Sequence, residues 1–356
     1  MGSHTDYNQG YVLTQAIDRD TWIAAHPRED HRVVVHSLNV DGSTEFDLNQ
    51  EIEYDTQTPW SNYVRGVAEI LRQEGYTLTG FDGLIHSTVP VGSGLSSSAA
   101  LEVAVAVLFN SLGDLQLDPV QIAFLCQRAE NEFVGMNCGI LDQYTSVMGA
   151  VDSVLLLDCR DNSSRILRIA DGIKIVICDT QAKRELTGSE YPERRAQCEE
   201  GSRIFATYYP EVTALRDVSL EMFEGHKSDL PQVVAKRCQF VIEENQRVLD
   251  IAAAISNGDH QKIQSYCAQS FAGAQDLYEI SSPEMDFMMT AMLSGPGVIA
   301  GRQAGAGFGG CMAAFVEDSM VEPFSTHVQV HYKKNTGIEP KVYQVEAAPG
   351  AGLLEF

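Results

Sequence analysis

Between residues 61 and 75 the apolar positions Val64, Val67, Ile70 and Leu71 recur at three- and four-residue spacing. That period predicts an amphipathic helix, which Gly75 stops. Residues 32–38, RVVVHSL, crowd β-branched side chains together and predict a strand, as do residues 11–17. A further strand is predicted at 83–88, leading into the glycine- and serine-rich loop VPVGSGLSSS. The following AALEVAVAVLF is apolar on nearly every side, so a buried helix is predicted to about residue 112, with Gly113 as its C-terminal cap. The next helix starts with Asp118 as N-cap, Pro119 at the first position and Gln121 at the third, and reaches about residue 133. VDSVLLLD and residues 173–180 read as strands, the second alternating at Ile173, Ile175 and Ile177. From 190 to about 282 the pattern is mostly helical, including 232–256 and 260–279. The last strands are predicted at 297–300, 311–316, 327–331 and 341–346. Helices clustered in the second half predict an α+β chain rather than a repeating βαβ order, divided near residue 170 into segments 1–170 and 171–356. No internal repeat is visible.

A length of 356 residues is a soft prior for two domains, and 44% hydrophobic residues suffice for a real core. The net charge of −24 argues against a nucleic acid or an anionic membrane surface as partner, because phosphate-rich partners want basic surface. It leaves room for a nucleotide, whose phosphates can be held by backbone N–H groups, a helix N-terminus and Mg²⁺. No apolar run approaches the roughly 18 residues of a membrane span, and no basic stretch followed by an apolar core opens the chain. A cytoplasmic location is expected. The eight cysteines form no C-x-x-C pair and sit mostly in apolar contexts, which predicts reduced thiols and neither a zinc site nor a disulfide framework.

The loop at 89–98 lacks the lysine of a P-loop, and Ser97 stands where a dinucleotide fingerprint wants its third glycine. It still has the physics of an anion site. Gly92 and Gly94 let backbone approach a ligand, Pro90 fixes the way in, and Ser96, Ser97 and Ser98 fall at a helix start where N–H groups are unpaired. The same residues also fit a plain N-cap on a core helix.

PVGSGLSSSAALEVA resembles the ATP-binding motif P-x-x-x-G-L-S-S-S-A of the GHMP kinases, and its triple serine is most similar to the galactokinases. Three further stretches are similar in order along nearly the whole chain. GSHTDYNQGYVL resembles the galactokinase signature G-E-H-T-D-Y-N-x-G-x-V-L, AENEFVGMNCGILDQYTSVMG the segment that bears the catalytic aspartate, and RQAGAGFGGCMAAFV the third GHMP motif. KRELTGSEYPERRAQCEE matches another galactokinase stretch. The resemblance implies a two-domain GHMP kinase fold, with an N-terminal α/β domain like that of ribosomal protein S5, a C-terminal ferredoxin-like domain and an active site in the cleft. The last strand would return to the N-terminal domain.

The resemblance also implies an ATP-dependent phosphorylation of galactose, or of a galactose-like sugar, at its anomeric C1 hydroxyl. Asp142 would be catalytic, accepting the sugar's proton or orienting its hydroxyl. Ser98 and Glu130 would hold Mg²⁺, which prefers hard oxygen ligands. Pro90, Gly92, Ser93, Gly94, Leu95, Ser96, Ser97, Ser98 and Ala99, with Gly305 and Gly307, would bind ATP as co-substrate, and Trp60 would lie near the adenine. Ser3, His4, Asp6, Gly139 and Tyr191 would contact the monosaccharide. A monomer or weak homodimer is expected.

Two departures qualify that picture. Ser3 stands where galactokinases carry a glutamate that contacts the C6 hydroxymethyl group, and related kinases for arabinose or galacturonate have small residues there. A relaxed preference at C6 is expected, with a kinase for such a C6-altered sugar as the alternative. The family's first strand and its P-G-R-x-N-L-x-G stretch precede the signature and have no counterpart here. Loss of that arginine would leave slow turnover, or a sensor that binds sugar and ATP with little catalysis.

Overall fold

A computed structural model of the chain describes residues 1–90, 92–136, 138–182, 190–305 and 307–354. In chain order the first strands are β1 (Tyr11–Thr14), β2 (Thr21–Pro27), β3 (Arg32–Ser37), β4 (Ser43–Asp47) and β5 (Phe81–Ser87). They are followed by β6 (Ser153–Asp158), β7 (Ser164–Arg168), β8 (Ile173–Asp179), β9 (Val298–Gln303), β10 (Cys311–Glu317) and β11 (Lys341–Val345). The helices are α1 (Ser61–Gln73), α2 (Ser97–Gly113), α3 (Pro119–Arg128), α4 (Leu141–Met148) and α5 (Glu190–Ala206). Then come α6 (Leu220–His226), α7 (Gln232–Asn257), α8 (His260–Asp276), α9 (Pro283–Leu293) and α10 (Val321–Thr336).

These elements form two compact units. One comprises Met1–Thr14 with Asp152–Glu346, the other Gln15–Val151 with Ala347–Phe356. The division therefore does not fall at residue 170, as the hydrophobic pattern suggested, but at residues 14, 151 and 346. The reason lies in pairing. β1 is bonded in register to β6, with Val12 opposite Leu157, so the first fourteen residues join the later chain. The tail returns the other way, where Ile17 bridges Ala347.

The unit built on residues 15–151 has a four-stranded sheet ordered β2-β5-β3-β4, in which only β3 and β5 run parallel. Phe81 and Ile85 of β5, Val33 and Val35 of β3 and Phe46 of β4 alternate inward and are buried. α2 lies among α1, α3 and α4, with only Ser111 of its residues exposed. Phe109 of α2 meets Phe81 edge-on at 5.4 Å, tying helix to sheet. Its C-terminal cap is not Gly113, which is still helical, but Asp114 in the left-handed conformation at φ 47°. α3 starts as its sequence predicts, with the full Asp118–Gln121 capping box and Pro119 in the first turn. Past Arg128 the helix widens to π-helical winding over Ala129–Val134.

The other unit has a three-stranded antiparallel sheet, β1-β6-β7, and a four-stranded antiparallel sheet, β11-β8-β10-β9. α7 and α8 cover the first through Val248, Ile251, Ile255 and Ile263. α9 packs a methionine-rich layer, Met285, Met288, Met289 and Met292, together with Phe324 and Val328 of α10, in one core with Val176, Met312 and Val316. Residues 327–331 are helical, not the strand their alternation predicts. Phe324, Val328 and Tyr332 decide this, because their four-residue spacing buries all three on one helical stripe.

Candidate active site

In the unit of residues 15–151 the loop before α2 turns by left-handed backbone. Gly92, Gly94 and Ser96 have φ of 75°, 84° and 61°. A Cβ on Gly92 would meet nothing within 4 Å, so the glycine is needed for its angle and not for room. Ser93 donates to the Pro90 carbonyl at 2.8 Å and closes the turn. Ser96 is the unusual member. A left-handed serine is strained, and its side chain does not cap the helix it precedes. Its hydroxyl bonds instead to the Asp142 carboxyl, in the first turn of α4. The amide hydrogens at the start of α2 are left without side-chain caps, the arrangement that receives an anion.

Asp142 is open to solvent, yet the protein crowded about it raises its carboxyl pKa above the ordinary range, with the Ser96 bond opposing. Glu130 sits on the π-helical turn and is 7% exposed. It is hydrogen-bonded to Ser98, the second residue of α2, and accepts from Cys138 Sγ at 3.3 Å and Gln143 Nε2 at 2.7 Å. The same Gln143 nitrogen reaches Glu102 Oε2 at 3.0 Å. Glu102 is wholly buried, and burial first, then Glu130, pushes its pKa up to about 9. Burial likewise raises Glu130. The Ser98 hydroxyl and the Glu130 carboxyl beside it are hard oxygen donors, the ligand chemistry that suits Mg²⁺. Trp60 stands at the N-cap of α1, its buried indole N–H unpartnered among the described residues. Gly139 lies in the loop before α4.

In the other unit the segment before β1 folds on itself. Thr5 Oγ1 bonds to the carbonyls of Gly2 and Tyr11, both at 2.7 Å, and Asn8 donates to the His4 carbonyl at 2.8 Å. These bonds hold His4 at φ 64°, a costly conformation for a non-glycine residue. His4 is 4% exposed, and its ring lies 4.8 Å from the Tyr278 ring and 5.5 Å from that of Tyr191. Its Nδ1 is 2.9 Å from Tyr7 OH, which is 2.8 Å from Tyr278 OH, itself 3.1 Å from Cys198 Sγ. Burial raises both phenol pKa values, so both hydroxyls stay protonated. Ser3 donates to the Gly305 carbonyl at 3.1 Å and accepts from Arg302 Nη2 at 3.2 Å. Gly305 and Gly307 have φ of 73° and 88°, and a Cβ on Gly307 would strike the Ile280 carbonyl at 2.5 Å. Asp6 opens a single 3₁₀ turn after His4.

Within their units, then, Ser96 meets Asp142 and Ser98 meets Glu130, while Ser3, His4, Tyr191 and Gly305 lie about one segment. Sequence reasoning missed Glu102, Gln143, Tyr7, Tyr278 and Arg302. Glu102 is one helical turn past Ser98, and Gln143 and Tyr7 each sit one residue from a candidate, so their signal was adjacency. Tyr278 carries no local signal at all.

Residues 62–150 match the family model for the GHMP kinases N terminal domain, and residues 1–27 match the galactokinase galactose-binding signature. The fold with its glycine–serine loop is that of a GHMP kinase. It has a TM-score of 0.64 to the mevalonate kinase of Methanococcus jannaschii at 16% identity, covering 98% of this chain and 94% of that one. Nearer likenesses narrow the class. The chain is 42% identical to the galactokinase of Roseiflexus sp. (strain RS-1), over 99% of this chain and 90% of that protein. The crystal structure of Lactococcus lactis galactokinase complexed with galactose matches with a TM-score of 0.92 at 35% identity, over 98% of this chain and 91% of that one. The chain belongs to the galactokinase family, whose members are ATP-dependent sugar kinases.

Proposed function

We propose that the chain transfers the γ-phosphoryl group of ATP to the C1 hydroxyl of galactose. The bond from the C1 oxygen to phosphorus forms, the bond from phosphorus to the bridging oxygen breaks, and ADP leaves. Asp142 takes the hydroxyl proton, an upward-shifted carboxylate being a better base than an ordinary one. The uncapped amides of α2, with Pro90, Gly92, Ser93, Gly94, Leu95, Ser97 and Ala99, cradle the phosphates, and Trp60 takes the adenine. Ser98 and Glu130 hold Mg²⁺, which when bound neutralises charge on the phosphate oxygens. His4, Asp6, Tyr191 and Gly139, with Ser3, bind the sugar's hydroxyls. The segment 1–27 supports the sugar as galactose, through its match to the galactose-binding signature. No disulfide joins the eight cysteines among the described residues, which favours a reducing cytoplasm as the working compartment. No helix among the described residues is long and apolar enough to cross a membrane.

The observation that carries this reading is the Ser96 hydroxyl, withheld from its own helix and bonded to Asp142. It ties the acid to the phosphate loop at the cost of a strained serine. The test is ADP release from ATP with galactose present and absent, with the product examined by phosphorus NMR. We expect sugar-dependent release and an anomeric phosphate. Release that ignores galactose, or phosphate on another hydroxyl, rejects the reading.

A further inference from the structure

Gln143 is wholly buried, one residue after Asp142 at the start of α4. Its Nε2 stands between two carboxyl groups, 2.7 Å from Glu130 Oε2 and 3.0 Å from Glu102 Oε2. A side-chain amide nitrogen carries two hydrogens and can donate to both acids at once, which a hydroxyl cannot. Glu102 belongs to α2, four residues past Ser98, and Glu130 to the π-helical turn. One side chain therefore joins the three elements that carry Asp142, Ser98 and Glu130. The other end of the amide is unsatisfied. Gln143 Oε1 is buried without a hydrogen-bond partner, and so is Glu102 Oε1. A buried polar atom left unpaired costs stability, and a leucine or methionine would fill similar space without that cost. Packing alone does not account for a glutamine here. Its two donors do.

Cys138 Sγ also donates to Glu130 Oε2, at 3.3 Å, but a thiol is a weak donor. Gln143 is the stronger hold on that carboxyl. We propose that Gln143 is a positioning residue, which fixes the Glu130 carboxyl where it and Ser98 receive Mg²⁺, while Glu102 anchors the amide. A carboxyl free to turn must be ordered when the cation arrives, and that ordering weakens binding. Held by Gln143, the carboxyl is ordered already in the folded chain. Gln143 acts through Glu130 and is assigned no contact with nucleotide or sugar. This inference rests on the reading of Glu130 as a metal ligand given above, and adds the side chains that make it one.

The test titrates Mg²⁺ by calorimetry into the full chain bound to a nonhydrolysable ATP analogue, and follows ADP release against Mg²⁺ concentration in parallel. For Gln143→Leu we expect Mg²⁺ to bind about 10- to 100-fold more weakly, with galactose binding unchanged. High Mg²⁺ should restore most of the wild-type kcat, a rescue that a merely structural role would not give. Gln143→Met, closer in length but without donors, carries the same expectation and decides the matter if the leucine variant does not fold. Glu102→Leu removes the anchor and should weaken Mg²⁺ by a smaller factor. In a Glu130→Ala background there is no carboxyl left to hold, so adding Gln143→Leu should cause no further loss. Additive losses overturn the proposal. So does Mg²⁺ bound at wild-type strength by the Gln143 variants, or a kcat that high Mg²⁺ fails to recover. If Glu130→Ala itself binds Mg²⁺ like the wild type, the ligand reading fails and the proposal falls with it. Loss in Glu130→Ala without loss in the Gln143 variants refutes the positioning role alone.

Discussion

Ser96 and Asp142 meet across two helix starts of one unit, within the stretch that also supplies Ser98, Glu130 and Gln143. His4 is enclosed differently, by rings from residues 7, 191 and 278, and its neighbour Ser3 is bonded to residue 302. The residues proposed for the phosphates, the phosphate half, are placed by backbone angles and helix ends, which are local properties of sequence. Those proposed for the sugar, the sugar half, are placed by packing between distant segments. The first should therefore govern rate and nucleotide binding, the second sugar affinity and choice. Asp142→Asn is the severest trial, with kcat expected to fall about 10²- to 10⁴-fold and the sugar KM to move only a few-fold. A sugar KM that rises as steeply as kcat falls would erase the distinction.

Glu130→Gln comes next. We expect the KM for ATP at fixed Mg²⁺ to rise roughly 10- to 100-fold, with calorimetric Mg²⁺ binding weakened in parallel and galactose binding unchanged. Retained metal binding would remove Glu130 from the ligand set. On the other side, Tyr278→Phe deletes the hydroxyl shared between Tyr7 and Cys198. One net hydrogen bond of about 1 kcal/mol corresponds to roughly a fivefold rise in sugar KM. The KM for ATP should stay put. Equal changes in both constants would mean that Tyr278 supports the fold as a whole rather than His4.

The same contrast explains what the sequence disclosed. The buried α2, its loop and the capping box of α3 were readable because each depends on neighbours within a few residues. Ser96 was readable as a loop residue, but not its desertion of the helix for Asp142, since a cap is the default use of a serine there. The misread strand at 327–331 failed because HVQVH alternates locally while Phe324, Val328 and Tyr332 impose a longer period across it. The domain boundary failed for a topological reason. Nothing within residues 1–14 announces that β1 pairs with β6, more than 140 residues later. Arg302 was visible inside a quoted motif, yet nothing local announces that its guanidinium meets the Ser3 hydroxyl, 299 residues earlier in the chain.

The gentlest perturbation concerns Glu102, and it separates the halves by electrostatics rather than chemistry. Its ordinary pKa of 4.5 is pushed to about 9 in the folded chain, chiefly by burial. Below pH 4.5 both folded and unfolded chains hold the proton, and the group leaves stability alone. Between pH 4.5 and 9 the unfolded chain has released it while the folded chain keeps it, so stability falls as pH rises. Above that window the penalty is complete. Glu102→Gln keeps the shape and the bond from Gln143 but has no proton to lose. Its melting temperature should match the wild type near pH 4.5 and exceed it increasingly toward pH 9, by several degrees at about 2–4 °C per kcal/mol. Arg302→Gln, which removes the bond to the Ser3 hydroxyl, should give no such widening gap. A gap that opens for Arg302→Gln and not for Glu102→Gln would reverse the assignment of strain to the phosphate half.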